Sequence, residues 1–300
     1  MSPGFSKFAS GGASDGKMPP EKLTRMLVAA ILKNDAGGIA NLAAMGADLN
    51  RSDDKGNSPV TIAATDPREH GALKALLDAK ADPNAPSANG KMPLHSVLRM
   101  KDEKIMPSAI DMLLTVKADP NIVERGPDGK LMTALQVALA HERSDRIIAM
   151  IMAGGADACL GEDPASGMLA PLFVFARGGR YPLLEMAFGA GADIDRRDAA
   201  GRTCLLWAAR DGMVKTMEML LERGADPTVK DGDGKDAMAY ARVLPVESGR
   251  NDLMRMLTRA IREFEVRSEI RDLRQTLDTL RLTVEKAVTA AGALKETKSG

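Results

Sequence analysis

The sequence predicts an all-α solenoid: about seven helix-turn-helix units with hairpin-like fingers, stacked side by side, followed by a long amphipathic helix. Three observations predict it. The triplet Gly-Ala-Asp or Lys-Ala-Asp closes an apolar helical stretch six times, with aspartates at Asp48, Asp82, Asp119, Asp157, Asp193 and Asp226, at spacings of 34, 37, 38, 36 and 33 residues. Between the triplets a glycine recurs, at Gly56, Gly90, Gly129, Gly167, Gly201 and Gly234, and opens into a short helix of small and apolar residues. A fixed period of this length is the mark of a repeat array. Aromatic residues make up only 3% of the chain, against 19 Met and 28 Gly, which suits thin layers of helix better than one thick core.

Taken in order, residues 1–20 are rich in Gly, Ser and Lys, have no apolar run of signal-peptide length, and are expected to form a disordered tail. The repeat region is expected over 21–262. Each unit begins with an Ala-rich first helix, narrow enough to lie close to its neighbours. Its second helix carries apolar residues at helical spacing, as in Leu73, Leu76 and Leu77 or Met217, Leu220 and Leu221. Glycine before Ala-Asp ends that helix in the left-handed conformation that only Gly adopts cheaply; Lys80 and Lys117 replace it twice, and weaker caps are expected there. The Asp-x-x-Gly stretch then turns the chain in a finger. No unit can bury its own apolar face, so stability must come from stacking.

The first unit opens directly on Leu23 to Ile31, and the last, Asp236 to Ala241 followed by Asn251 to Arg262, has a longer loop through Pro245. Both read as capping repeats. Extra residues near Lys101 to Pro107, Arg125 to Met132 and Glu162 to Met168 lengthen loops and fingers, where partner contacts often sit on a solenoid.

The best copy runs Asp198-Ala-Ala-Gly-Arg-Thr-Cys-Leu-Leu-Trp-Ala-Ala-Arg-Asp-Gly212, then Val214 to Asp226. With Ser58-Pro59-Val60-Thr61-Ile62-Ala63-Ala64, Met92-Pro93-Leu94-His95 and the asparagines Asn50, Asn84 and Asn121 two residues after their aspartates, it resembles the ankyrin-repeat family. Thr133 to Ala138 and Ala170-Pro171-Leu172 keep less of the motif, and Asp157, Asp193 and Asp226 lack the asparagine. The resemblance covers most of the chain. It implies a non-catalytic scaffold that binds a partner protein on the concave face of fingers and first helices, and a hydrogen-bonding structural role for His95.

From Val266 the period changes. Val266, Ile270, Leu273, Leu277, Leu280 and Val284 alternate spacings of four and three, continuing through Ala287, Ala291 and Leu294. With Ile270, Leu277 and Val284 at heptad position a, Leu273 and Leu280 fall at d and Arg267, Arg274 and Arg281 at e; Glu269, at g, can reach Arg274 of a partner helix. A heptad helix is expected over 263–294, with 295–300 a disordered tail. Three arrangements are open for it: a homodimeric coiled coil, a helix folded back on the solenoid, or a solvated helix.

The 41 Lys+Arg balance 41 Asp+Glu, which argues against a protein devoted to nucleic acid or an anionic membrane. No stretch approaches the roughly 18 apolar residues of a membrane span. Cys159 and Cys204 lack CxxC spacing, so neither a disulfide framework nor a cysteine zinc site is expected, and reduced thiols fit the cytoplasm. Asp231 to Asp236 resembles the start of a calcium loop, but Asp236 stands where Gly is needed and Arg242 where a bidentate Glu is needed. His70, His95 and His141 are scattered, and His141-Glu142 has no second His three residues on. No cofactor, metal or catalytic set is expected.

One pattern points to binding. The residues after the finger glycines include Lys91, Lys130, Arg202 and Lys235, and those just past the Ala-Ala position include Arg99, Arg177 and Arg210. Stacking is expected to align these seven into partly basic columns. The leading expectation is a scaffold that binds another protein through them. The alternatives are a homodimeric assembly or tethering subunit acting through Val266 to Val284, and a bacterial effector delivered to a host cell.

Overall fold

The computed structural model describes residues 18–66, 68, 70–126, 129–245 and 249–296. Of the expected tails, 1–17 and 297–300 lie outside these residues, whereas Pro20 opens the first helix and 295–296 continue the last one. Among them lie fourteen helices and one two-stranded ribbon, divided between two compact units, 1–161 and 162–300.

The first unit holds four helix pairs: α1 (Pro20–Leu32) with α2 (Ala36–Ala44), α3 (Pro59–Ala64) with α4 (Gly71–Asp78), α5 (Pro93–Leu98) with α6 (Met106–Thr115), and α7 (Ala134–Ala140) with α8 (Asp145–Ala153). First helices pack on first helices, α1 on α3, α3 on α5 and α5 on α7. They start where the sequence supplies a start signal: Pro59 and Pro93 stand in the first turn, the Ser58 hydroxyl accepts from Thr61 N, and Thr133 and Gln136 form a reciprocal capping box. The finger before α7 is the one regular ribbon, β1 (Glu124–Arg125) antiparallel to β2 (Leu131–Met132).

A ladder of asparagines stitches successive repeats of this unit. Asn50 Oδ1 accepts from Asp82 N at 2.9 Å, Asn84 Oδ1 from Asp119 N at 2.9 Å, and Asn121 Oδ1 from Asp157 N at 2.8 Å. Each aspartate also folds its own turn, Asp48, Asp82 and Asp119 accepting from the N–H two residues on. Lys80 and Lys117, in place of the capping glycine, sit at φ 68° and 66°, in the region a Cβ disfavours.

The second unit holds three pairs: α9 (Pro171–Arg177) with α10 (Tyr181–Gly189), α11 (Cys204–Arg210) with α12 (Val214–Glu222), and α13 (Ala237–Arg242) with α14 (Arg250–Glu296). Its core is built around the fully buried Phe173, Phe175 and Leu184 and extends through Leu220 to Leu253 and Leu257 at the start of α14. Asp195 does here what asparagine does in the first unit, its Oδ1 accepting from Asp226 N at 2.9 Å.

The expected border between solenoid and heptad helix, 262/263, falls inside α14, which runs unbroken through it. Its first turns are the second helix of the last repeat. Beyond them Val266, Ile270, Leu273, Leu277, Leu280 and Val284 are each 46–64% exposed. Over this stretch the helix is not folded back on its own unit.

Candidate partner-binding site

Two fingers of the second unit, those before α11 and α13, are built on one plan. Asp198 Oδ1 accepts from the N–H groups of Ala200 and Arg202 at 2.9 and 2.8 Å, closing a turn whose Gly201 sits at φ 76°. The other oxygen of the same carboxylate accepts from the indole Nε1 of Trp207 at 2.9 Å. One repeat later Asp231 Oδ1 accepts from Asp233 N and Lys235 N at 3.0 and 2.9 Å, and Oδ2 takes the hydroxyl of Tyr240. Finger aspartate, glycine, basic residue and aromatic ring therefore recur at offsets 0, 3, 4 and 9. The two fingers lie against each other, Gly232 N donating to Ala200 O at 2.8 Å, and a Cβ on Gly201 would stand 3.1 Å from Gly232 N. These uses of Asp231 account for the sequence that looks like a calcium loop.

Three arginines converge on Trp207. The guanidinium carbons of Arg177, Arg202 and Arg210 lie 4.8, 5.0 and 4.9 Å from the ring centroid, and Lys235 Nζ lies 5.9 Å from that of Tyr240. Trp207 comes from α11, Arg177 and Arg210 from the ends of α9 and α11, and Arg202 from the finger between them. The ring, itself 4% exposed, supplies the negative face on which the cations rest.

Carboxylates set the charge of this cluster. Asp211 faces Arg177 at 3.0 Å and Arg210 at 3.9 Å, and Asp231 lies 3.6 Å from Arg202. Burial pushes the Asp231 carboxyl up, but the hydrogen bonds from Tyr240, Lys235 and Asp233, with Arg202 beside it, hold it below its usual range. Arg177 and Arg210 are exposed, whereas Asp198 and Asp231 are buried. The cluster thus turns guanidinium groups outward and keeps two of its carboxylates inside. Planar guanidinium groups held against a ring are pre-set to grip a carboxylate in two-point fashion.

Four of the seven basic residues singled out by sequence, Arg177, Arg202, Arg210 and Lys235, are therefore gathered in the second unit. The other three belong to the first unit. Lys91 is exposed on its finger and Lys130 half-exposed. Arg99 is drawn into a structural pair, its Nη1 2.7 Å from Glu124 Oε1, while Glu124 Oε2 accepts from Met92 N at 2.8 Å. Beside it His95, 1% exposed, donates from Nε2 to Met132 O at 3.1 Å. Burial lowers the pKa of His95 against the opposing pull of Glu124. Composition and repeat register led to the arginines but missed the ring beneath them. The signal was in the sequence: an aromatic residue nine positions after the finger aspartate, present at Trp207 and Tyr240 and replaced by Ile62 after Asp53.

Among the described residues no helix is long and apolar enough to cross a membrane. Residues 135–231 match the family model for ankyrin repeats (3 copies). The fold is similar to that in the crystal structure of the ankyrin repeat domain of Bcl-3, a unique member of the IkappaB protein family, at a TM-score of 0.56 and 20% identity, covering 81% of this chain and 100% of that one. No curated protein sequence matches the chain.

Proposed function

We propose that this ankyrin-repeat array is a protein-interaction module that binds an acidic segment of another protein on the finger and first-helix face, centred on Arg177, Arg202 and Arg210. The observation that carries it is the convergence of three guanidinium groups within 4.8–5.0 Å of one indole ring. A solenoid is expected to present such a face with little motion, so docking orders few side chains and loses little entropy. A partner carboxylate would take over the pairing that Asp211 now offers Arg177 and Arg210. Each ring contact contributes about 0.5–1 kcal/mol toward holding a guanidinium in place before the partner arrives. Within the first unit, taken by itself, Lys91 and Lys130 offer a separate, weaker basic patch on the fingers, and Arg99 belongs to that unit's frame.

Trp207 is the sole tryptophan and so reports on its own site. Titration with a glutamate-rich peptide should change its fluorescence saturably, and the quadruple change R177A/R202A/R210A/K235A should weaken the peptide at least about tenfold, as expected for loss of charge-assisted contacts. Partners captured from the native cell should fall away with the same variant. Capture of the same proteins in the same amounts by a folded quadruple variant would sink the reading.

A further inference from the structure

We propose that the outer part of α14 pairs with the same helix of a second copy, as a parallel, in-register coiled coil over residues 266–284. The proposal is independent of the partner site. Six apolar side chains at a and d positions form one stripe along this segment, each 46–64% exposed. A stripe of period 3.5 is narrower than the face a helix lays on a globular core and matches the seam of a two-stranded coil.

Charge decides what covers the stripe. Over 265–286 the helix carries Arg267, Arg271, Arg274, Arg281 and Lys286 against Glu265, Glu269, Asp272, Asp278 and Glu285, five of each sign. An anionic membrane surface would gain nothing from that balance, since interfacial helices concentrate basic residues on the polar face. The flanks of the stripe are asymmetric instead. The e flank is Arg267, Arg274 and Arg281, and the g flank is Glu269, Thr276 and Thr283. A parallel pair sets g against e, so Glu269 meets Arg274 of the partner helix twice per dimer. An antiparallel pair sets e against e and brings the arginines together. Arg267 and Arg281 are partly compensated by Glu263 and Glu285 of their own helix, at 4.0 and 3.2 Å, whereas among the described residues no such pair offsets Arg274, so the antiparallel arrangement is disfavoured. Ile270 and Val284 at a, with Leu273 and Leu280 at d, also favour two parallel strands.

Sedimentation equilibrium of the full chain from about 1 to 100 µM, a range that brackets micromolar affinity, should show the mass rise from 31.9 kDa toward twice that value. Leu277→Asp, at a residue exposed in the single chain, should hold the protein at monomer mass with its circular dichroism unchanged. Arg274→Glu should weaken the dimer several-fold, and E269R/R274E should restore it. A monomer at every concentration overturns the proposal, whether or not it floats with anionic vesicles. A dimer that survives Leu277→Asp places the contact elsewhere and overturns it too. Tighter association by Arg274→Glu alone overturns the parallel arrangement.

Discussion

Glu124 shows how much one side chain carries in a thin fold. Its carboxylate is almost fully buried, one oxygen 2.7 Å from Arg99 and the other accepting from Met92 N. Removing it strands a guanidinium and an N–H whose partners cannot be replaced by bulk water without opening the finger. Glu124→Ala should therefore destabilise the first unit by about 2–4 kcal/mol, read as a loss in chemical denaturation. His95, packed beside it, is held neutral by burial, so its folded pKa lies below its unfolded one. The unfolded chain then takes up a proton first as pH drops, and stability falls as pH is lowered through the unfolded value near 6.5. The melting temperature should decline between about pH 7 and 5, and His95→Gln should flatten that decline. The family resemblance at Met92-Pro93-Leu94-His95 implied a structural role for His95. It did not tell that Arg99 would be consumed by Glu124, because the pairing joins residues 25 apart that only the finger ribbon brings together.

At the level of the element, every helix pair was legible because its boundaries are written in local chemistry: prolines in first turns, hydroxyl and carboxylate caps, and left-handed residues at the ends. Lys80 and Lys117 are where that chemistry is strained, at φ 68° and 66°. Lys80→Gly and Lys117→Gly should each raise stability by about 0.5–1 kcal/mol, the relief of a left-handed Cβ less the added freedom of glycine in the unfolded chain. Substitution by Ala, equally strained, should give no gain. The stitch between repeats offers a second test. Asp195 fills the asparagine position, and its carboxyl is pushed above its usual range by burial and by the charges of Asp226 and Asp193, against the hydrogen bond from Asp226 N. Because the folded state holds that proton more tightly than the unfolded one, stability from this group rises as pH falls through its folded pKa and is complete below the unfolded value. Asp195→Asn keeps the acceptor for Asp226 N without the charge. It should raise the melting temperature at neutral pH, and the difference from the parent should shrink as pH falls.

Across the whole molecule, zero net charge conceals local asymmetry of two kinds: guanidinium groups gathered on a buried ring, and arginines gathered on one flank of a helix. Neither was legible from composition, since each depends on which residues the repeat and heptad registers bring to one side. The sequence placed a border at 262/263, yet α14 passes through it because nothing in Arg262-Glu263-Phe264 breaks a helix. Its two parts nevertheless differ in what they do. Leu253 and Leu257 are fully buried beneath α13, whereas the side chains of Val266, Leu273 and Leu280 are more than half exposed. A chain ending after Glu265 should then keep the melting temperature of the parent measured at low micromolar concentration, and should lose any rise of that temperature with concentration, since mass action links the two. A chain ending after Pro245 removes the cover of α13, leaves Ala237 and Ala241 to water, and should lose about 3–6 kcal/mol, the transfer cost of two buried leucines and the surfaces they seal. If both truncations melt alike, α14 is not divided into a seal and a free arm, and the stripe from Val266 to Val284 has a place in the fold of the single chain.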